Sequence, residues 1–113
     1  MYKLVTGAGA TYYARASVTH PIQLEKAIEE GIKHKGFSFI EVLSPCPTTA
    51  GRNIFSFKTP TEMYDWYEQQ VAVLKPGQTE APDGKIGLGI LYVDDTKEEL
   101  CDVQAEKKEE AKK

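Results

Sequence analysis

Between Gly36 and Thr48 the sequence runs Gly-Phe-Ser-Phe-Ile-Glu-Val-Leu-Ser-Pro-Cys-Pro-Thr. Apart from Ser38 and Glu41, every residue from Phe37 to Leu43 is apolar. One side of a half-solvated strand cannot hide so many. Such a run suits a strand covered on both faces, as in a parallel sheet. It therefore points to an α/β fold with a mostly parallel sheet and flanking helices. The strand then runs out into a cysteine held between two prolines, Pro45-Cys46-Pro47. In open parallel sheets ligands gather beyond the carboxyl ends of the strands, and Cys46 is expected just there.

Upstream, Tyr12 to Ala16 is rich in aromatic residues and reads as a strand, with Gly7-Ala8-Gly9 as the turn into it. Gly7 and Gly9 do not start a dinucleotide fingerprint. Position 12 is Tyr12 rather than glycine, and a strand follows where the fingerprint needs a helix. A helix is predicted next, with His20 at the cap and Pro21 at the first position, where its missing N–H costs nothing. Leu24, Ala27, Ile28 and Ile32 form its apolar stripe. Glu25, Glu29, Glu30 and Lys33 form its solvated face. Lys33, His34 and Lys35 suit the dipole of the last turn, and Gly36 ends the helix. Strand, helix, strand in this order makes a βαβ crossover with parallel strands.

Downstream, Thr48 to Asn53 reads as a polar loop followed by Ile54-Phe55-Ser56-Phe57. Thr59-Pro60-Thr61-Glu62 is a capping box with proline at the first helical position. Met63, Trp66, Tyr67, Val71 and Leu74 are the expected stripe of the helix it opens, and Pro76-Gly77 stops that helix. The aromatics read as core or subunit contact rather than as a cofactor box. Residues 76–85 form an exposed loop, and Ile86 to Val93 a strand. Gly87 and Gly89 share one face of that strand, which implies close approach by another element there. The expected organisation is an α/β portion over residues 1–93 and a charged tail over 94–113, partly helical or disordered. Leu100 and Val103 are the apolar residues able to dock one turn of it.

With 113 residues, 41% hydrophobic and 27% charged, the chain has the composition of one globular domain. Its net charge of −3 argues against nucleic acid or an anionic membrane as partner, since both need a basic surface. No apolar run approaches the roughly 20 residues of a membrane span, and Met1 to Leu4 carry no signal-peptide apolar region. Cys46 and Cys101 are too few for a disulfide framework, so a reducing, cytoplasmic setting is expected.

Among the polar residues, His20 reads as a cap or packing residue and His34 as a last-turn surface cation. Glu41 interrupts an apolar strand; it either points to a sheet edge or pairs with a basic group such as Arg15 on the neighbouring strand. Cys46 has three readings: a buried small hydrophobe, a reactive thiol, or one ligand of a metal or iron–sulfur site. Cys101 reads as a bystander.

Ala8 to Arg15, then Thr19-His20-Pro21 with Gln23-Leu24, then His34 to Thr48, with Gly51-Arg52 after it, together resemble the C-terminal part of the beta subunit of 2-oxoacid:ferredoxin oxidoreductases, the 2-oxoglutarate branch above all. The resemblance is dense from about residue 7 to residue 53, looser through Thr59 to Leu74 and Ile86 to Val93, and absent in the tail. It implies the C-terminal portion of a thiamine-diphosphate-binding α/β fold, here an incomplete domain. It implies oxidative decarboxylation of a 2-oxoacid with coenzyme A, giving an acyl-CoA and reduced ferredoxin. The family's cofactors are thiamine diphosphate with magnesium and a [4Fe–4S] cluster. Carried over, the Cys-Pro-Thr cysteine that supplies one cluster thiolate is Cys46, and no catalytic residue is implied.

The family's Cys-x-x-Cys segment and its Gly-Asp-Gly…Asn motif are missing here. The expectation is thus a fragment or small subunit, inactive alone, binding neither thiamine diphosphate nor an intact cluster by itself. Its expected partners are the remainder of the beta subunit, the alpha and other subunits, and ferredoxin. Homo-oligomers through exposed sheet surface are a further expectation. The alternative reading is a non-catalytic α/β interaction module with an inert Cys46.

Overall fold

In the computed structural model, residues 1–112 are described. The order is α1 (Tyr2–Gly7), β1 (Tyr12–Ser17), α2 (Pro21–Lys33), β2 (Ser38–Leu43), a π-helical turn (Pro47–Ile54), α3 (Pro60–Gln70), β3 (Val71–Val73), a short 3-10 turn (Pro82–Gly84), β4 (Ile86–Val93) and α4 (Leu100–Glu110). The strands form one sheet in the order β2-β1-β4-β3. β1 and β2 are parallel and joined through α2, with Tyr12 opposite Ser38 and Ser17 opposite Leu43. β3 and β4 are also parallel, while β4 runs antiparallel to β1, with a register shift between Tyr13 and Ala14. The expected mixed α/β, mostly parallel arrangement is present.

β1 is the buried centre. Its alternate side chains feed two core clusters, one on each face of the sheet. Tyr12, Ala14 and Ala16 pack with Ala27, Leu24 and Ile40 beneath α2. Tyr13 packs with Val5, Ala10, Leu74 and Leu91. Small residues bring α2 close: a Cβ at Gly31 would lie 2.9 Å from Ile40 Cδ1, and Tyr12 donates to the Ala27 carbonyl at 2.9 Å.

Several sequence expectations need correction. In α2 Ala27 and Gly31 are buried and Leu24 half-buried beside them, while Ile28 and Ile32 are 41% and 78% exposed. The helix ends at Lys33 with His34 already extended, and the positive φ of Gly36 comes two residues later. The polar loop after Cys46 is wound into the π-helical turn. The capping box at α3 is real: the Glu62 amide donates to Thr59 Oγ1 at 3.3 Å, and the Lys58 amide donates to Glu62 Oε2 at 2.8 Å.

The predicted stripe of α3, however, does not reach Leu74. The helix stops at Gln70, and Val71–Val73 becomes a strand beside Ile86–Leu88. Two β-branched valines facing an open strand edge gain ladder hydrogen bonds that another helical turn cannot offer. α4 is longer than the one docked turn expected, and none of its residues is buried. Lys113, the last residue of the predicted tail, lies outside the described residues.

The described chain is drawn out, measuring 68 × 29 × 24 Å with a radius of gyration of 18.3 Å; a compact domain of this length has about 13 Å. Gly87 and Gly89 do admit another element, namely Leu74. A Cβ at Gly87 would sit 2.7 Å from Leu74 Cδ1 and 3.0 Å from its Cγ. Gly87→Ala is therefore expected to cost about 1–3 kcal/mol through overpacking, read as a lower urea midpoint with an unchanged slope.

Candidate functional site

Three groupings of polar side chains stand out in this fold, and β1, α2 and β2 hold most of their members. The first lies past the end of β2. Ser44 and Cys46 each precede a proline, which holds them in extended backbone. Pro45 is buried, and Cys46 is exposed. Cys46 is the cap residue of the π-helical turn, with Pro47 in its first turn, and its side chain makes no capping hydrogen bond. The thiol lies 3.5 Å from Thr48 Oγ1. The Thr48 hydroxyl, then the nearby Thr49 and Ala50 amides and the Thr49 hydroxyl, lower its pKa to about 6. Donors aimed at an anion do this at helix N-termini generally. Cys46 is therefore no buried hydrophobe; it is a prepositioned, largely ionised thiolate at neutral pH.

The turn behind it is braced by α3. A Cβ at Gly51 would lie 3.0 Å from Met63 Sδ, and the Gly51 amide donates to the Cys46 carbonyl at 2.9 Å. Phe55, Phe57 and Trp66 stack alongside, with Phe55 and Trp66 centroids 4.8 Å apart. Among the described residues no three His, Cys, Asp or Glu side chains come together as a metal-holding group. The residues present thus fit one ligand of a thiolate-bound centre and not a complete site. Cys101 is also exposed, but neighbouring Glu99, and Asp102 further off, push its thiol up.

The second grouping is the partnership expected of Glu41. Arg15 Nε lies 2.8 Å from Glu41 Oε2. Tyr13 also donates to that oxygen, and Arg15 Nη2 donates to Tyr13 Oη at 3.2 Å. Tyr13 was not foreseen, although its place two residues before Arg15 puts both on one strand face. Burial pushes the Glu41 carboxyl up, and the hydrogen bonds from Tyr13 and Arg15 outweigh it, holding the group below its ordinary value.

The third corrects His34. It is no surface cation: its side chain is 5% exposed. Nε2 lies 2.8 Å from Thr11 Oγ1 and Nδ1 3.4 Å from Asp95 Oδ1, with the ring against Tyr12. The sequence places these three residues far apart, so only folding joins them. His20 is the cap residue of α2 but makes no side-chain capping bond; its Nδ1 meets Thr19 Oγ1 at 3.0 Å.

Iodoacetamide should modify Cys46 with a half-maximal rate near pH 6 and leave Cys101 almost untouched at pH 7. Thr48→Val should move the Cys46 midpoint upward, as read by peptide mass spectrometry across pH. Because the folded Glu41 carboxyl is depressed, its stabilisation is present above the ordinary carboxylate range and is lost as pH falls through the lowered folded value. Arg15→Gln should cost about 1–3 kcal/mol at pH 7 and flatten that acid limb of the urea stability profile.

No family model matches the chain. The 2-oxoglutarate synthase subunit KorB of Methanothermobacter thermautotrophicus is 39% identical over 103 residues, covering 88% of this chain and 35% of the relative. KorB of Methanocaldococcus jannaschii is 44% identical over 90 residues, covering 77% and 33%. The beta subunit of 2-oxoacid:ferredoxin oxidoreductase 2 of Aeropyrum pernix is 30% identical over 110 residues, covering 84% and 35%. Among solved structures, a chain of the 2-oxoglutarate:ferredoxin oxidoreductase from Magnetococcus marinus, with 2-oxoglutarate, coenzyme A and succinyl-CoA bound, superposes with a TM-score of 0.69 at 25% identity. That superposition covers 97% of this chain and 38% of the other. The chain spans about a third of the length of these relatives. By sequence and by fold it is a homologue of part of the beta subunit of the 2-oxoacid:ferredoxin oxidoreductases.

Proposed function

We propose that this chain works as part of the beta subunit of a 2-oxoglutarate:ferredoxin oxidoreductase, in which a 2-oxoacid, coenzyme A and oxidised ferredoxin give an acyl-CoA, carbon dioxide and reduced ferredoxin. The observation that carries the reading is the 39% identity over 103 residues to a 2-oxoglutarate synthase subunit, joined to an exposed thiol at the carboxyl end of a parallel strand. Its partners are the remaining part of the beta subunit, the other subunits of the complex, and ferredoxin. Cys46 and Cys101 as exposed free thiols accord with a reducing, cytoplasmic compartment.

Cys46 is the residue suited to hold an iron–sulfur cluster. Its sulfur is ionised, accessible and fixed between two prolines, as thiolate–iron bonding requires. In the assembled enzyme, thiamine diphosphate with magnesium supplies carbanion chemistry and a [4Fe–4S] cluster supplies single-electron transfer. This chain contributes the positioned sulfur and the donors of Thr48 and Thr49 around it. The other three thiolates come from outside the chain, so the isolated chain is inactive and holds no stable cluster.

The test is a beta subunit of the Methanothermobacter thermautotrophicus enzyme in which these 113 residues replace the matching segment. With the wild-type segment, the assembled complex should reduce ferredoxin and show a reduced-cluster EPR signal. Cys46→Ser should abolish or strongly alter that signal and cut electron transfer by orders of magnitude. Unchanged transfer would make Cys46 inert and favour a non-catalytic interaction module. A stable four-iron signal from the isolated chain after treatment with iron and sulfide would overturn the claim that it is incomplete alone.

A further inference from the structure

The prolines that hold Cys46 also strip donors from beside it. Proline has no N–H, so neither Pro45 nor Pro47 offers the sulfur a backbone hydrogen bond. The Cys46 side chain makes no capping bond to the turn it opens. The side-chain partner within reach is the Thr48 hydroxyl, with Oγ1 3.5 Å from Sγ. Among the described residues, that hydroxyl has no other hydrogen-bond partner.

Between a thiol and a hydroxyl, either atom could donate. A thiolate, or a sulfur bonded to iron, has no proton to give, and Thr48 must then be the donor. The geometry is held by the turn itself. One proline of fixed φ separates the two residues, and threonine is stiff at χ1. The turn closes where the Gly51 amide donates to the Cys46 carbonyl at 2.9 Å and the Phe55 amide to the Ala50 carbonyl at 3.0 Å. Gly51 is buried against Met63 of α3. Cys46 and Thr48 both face solvent in this chain. Around a bound cluster, with water excluded, the same hydrogen bond acts more strongly.

A donor on a ligand sulfur draws negative charge from it and favours the state that carries one more electron. Hydrogen bonds to sulfur set iron–sulfur potentials in this way. We infer that Thr48 is a positioning residue for electron transfer, donating its hydroxyl to the cluster-bound Cys46 sulfur and so raising the reduction potential of the cluster. This rests on the function proposed above. The hydroxyl eases entry of an electron from the substrate side and tempers the drive to pass it to ferredoxin.

The test is an EPR-monitored redox titration of the complex assembled with the chimeric beta subunit. Thr48→Val should lower the reduced-to-oxidised ratio at a fixed potential about tenfold, a shift of about 59 mV for one electron. Thr48→Ser, which keeps the hydroxyl, should restore the wild-type midpoint. Iron content and g values should stay unchanged in both. In deuterated water, pulsed ENDOR should find an exchangeable deuteron coupled to the cluster in wild type and Thr48→Ser that is missing from Thr48→Val. A Thr48→Val midpoint equal to wild type overturns the inference and leaves the functional reading intact. So does a Thr48→Ser midpoint displaced as far as that of Thr48→Val, since shape rather than the hydroxyl would then matter. If Thr48→Val does not load iron, Thr48→Ala takes its place in the same titration. Failure of both to load makes Thr48 a residue that holds the cluster rather than one that sets its potential, and also overturns the inference. A wild-type chimera without a cluster, or one whose signal Cys46→Ser leaves unmoved, overturns the functional reading itself.

Discussion

The ladder between β1 and β2 is the constraint from which the rest of this molecule follows. It pairs Tyr12 to Ser17 with Ser38 to Leu43 in parallel, and parallel pairing demands a crossover, which α2 supplies. Once that register is set, Arg15 stands opposite Glu41, and both meet Tyr13 on one face. On the other face Tyr12, Ala14 and Ala16 receive α2. A one-residue slip would turn the charged pair toward α2 and the small residues away from it. The same register carries β2 to its end at Leu43 and thereby fixes where Cys46 emerges.

Cys46 owes its chemistry to what is close in sequence and its position to what is distant. The lowered thiol pKa comes from donors two to four residues on, in Thr48, Thr49 and Ala50, arranged by a turn that starts at a proline. Nothing remote is needed for it. That the turn holds still is a different matter: Gly51 lies against Met63 of α3, and Phe55 against Trp66. The result is an exposed sulfur on a braced turn beyond the end of a parallel strand.

The local signals in the sequence were accurate where local physics decides. The capping box at Thr59, proline at the start of α2 and α3, the strand at Ile86 and the approach at Gly87 all appear, because capping, φ restriction and steric room act within a few residues. Errors arose where two environments compete for one pattern. Ile28 and Ile32 fit the periodicity of a core stripe as well as Leu24 and Ala27 do. Periodicity reports that a side chain is apolar on a helix, not which of two flanks meets the sheet. Val71 and Leu74 continue the spacing of α3, yet an open strand edge captured them.

The sequence by itself determined the βαβ core and the resemblance to ferredoxin-linked oxidoreductase beta subunits, and it marked Cys46 and Glu41 as residues needing an explanation, since each of these depends on neighbours in the chain or on residue type. Only the tertiary structure decided that β4 runs antiparallel to β1, that Tyr13 joins Arg15 and Glu41, that His34 is buried between Thr11 and Asp95, and that β2 stands at a margin. These depend on long-range closure, in which segments tens of residues apart meet because burial of the β1 side chains outweighs the entropy of bringing them together.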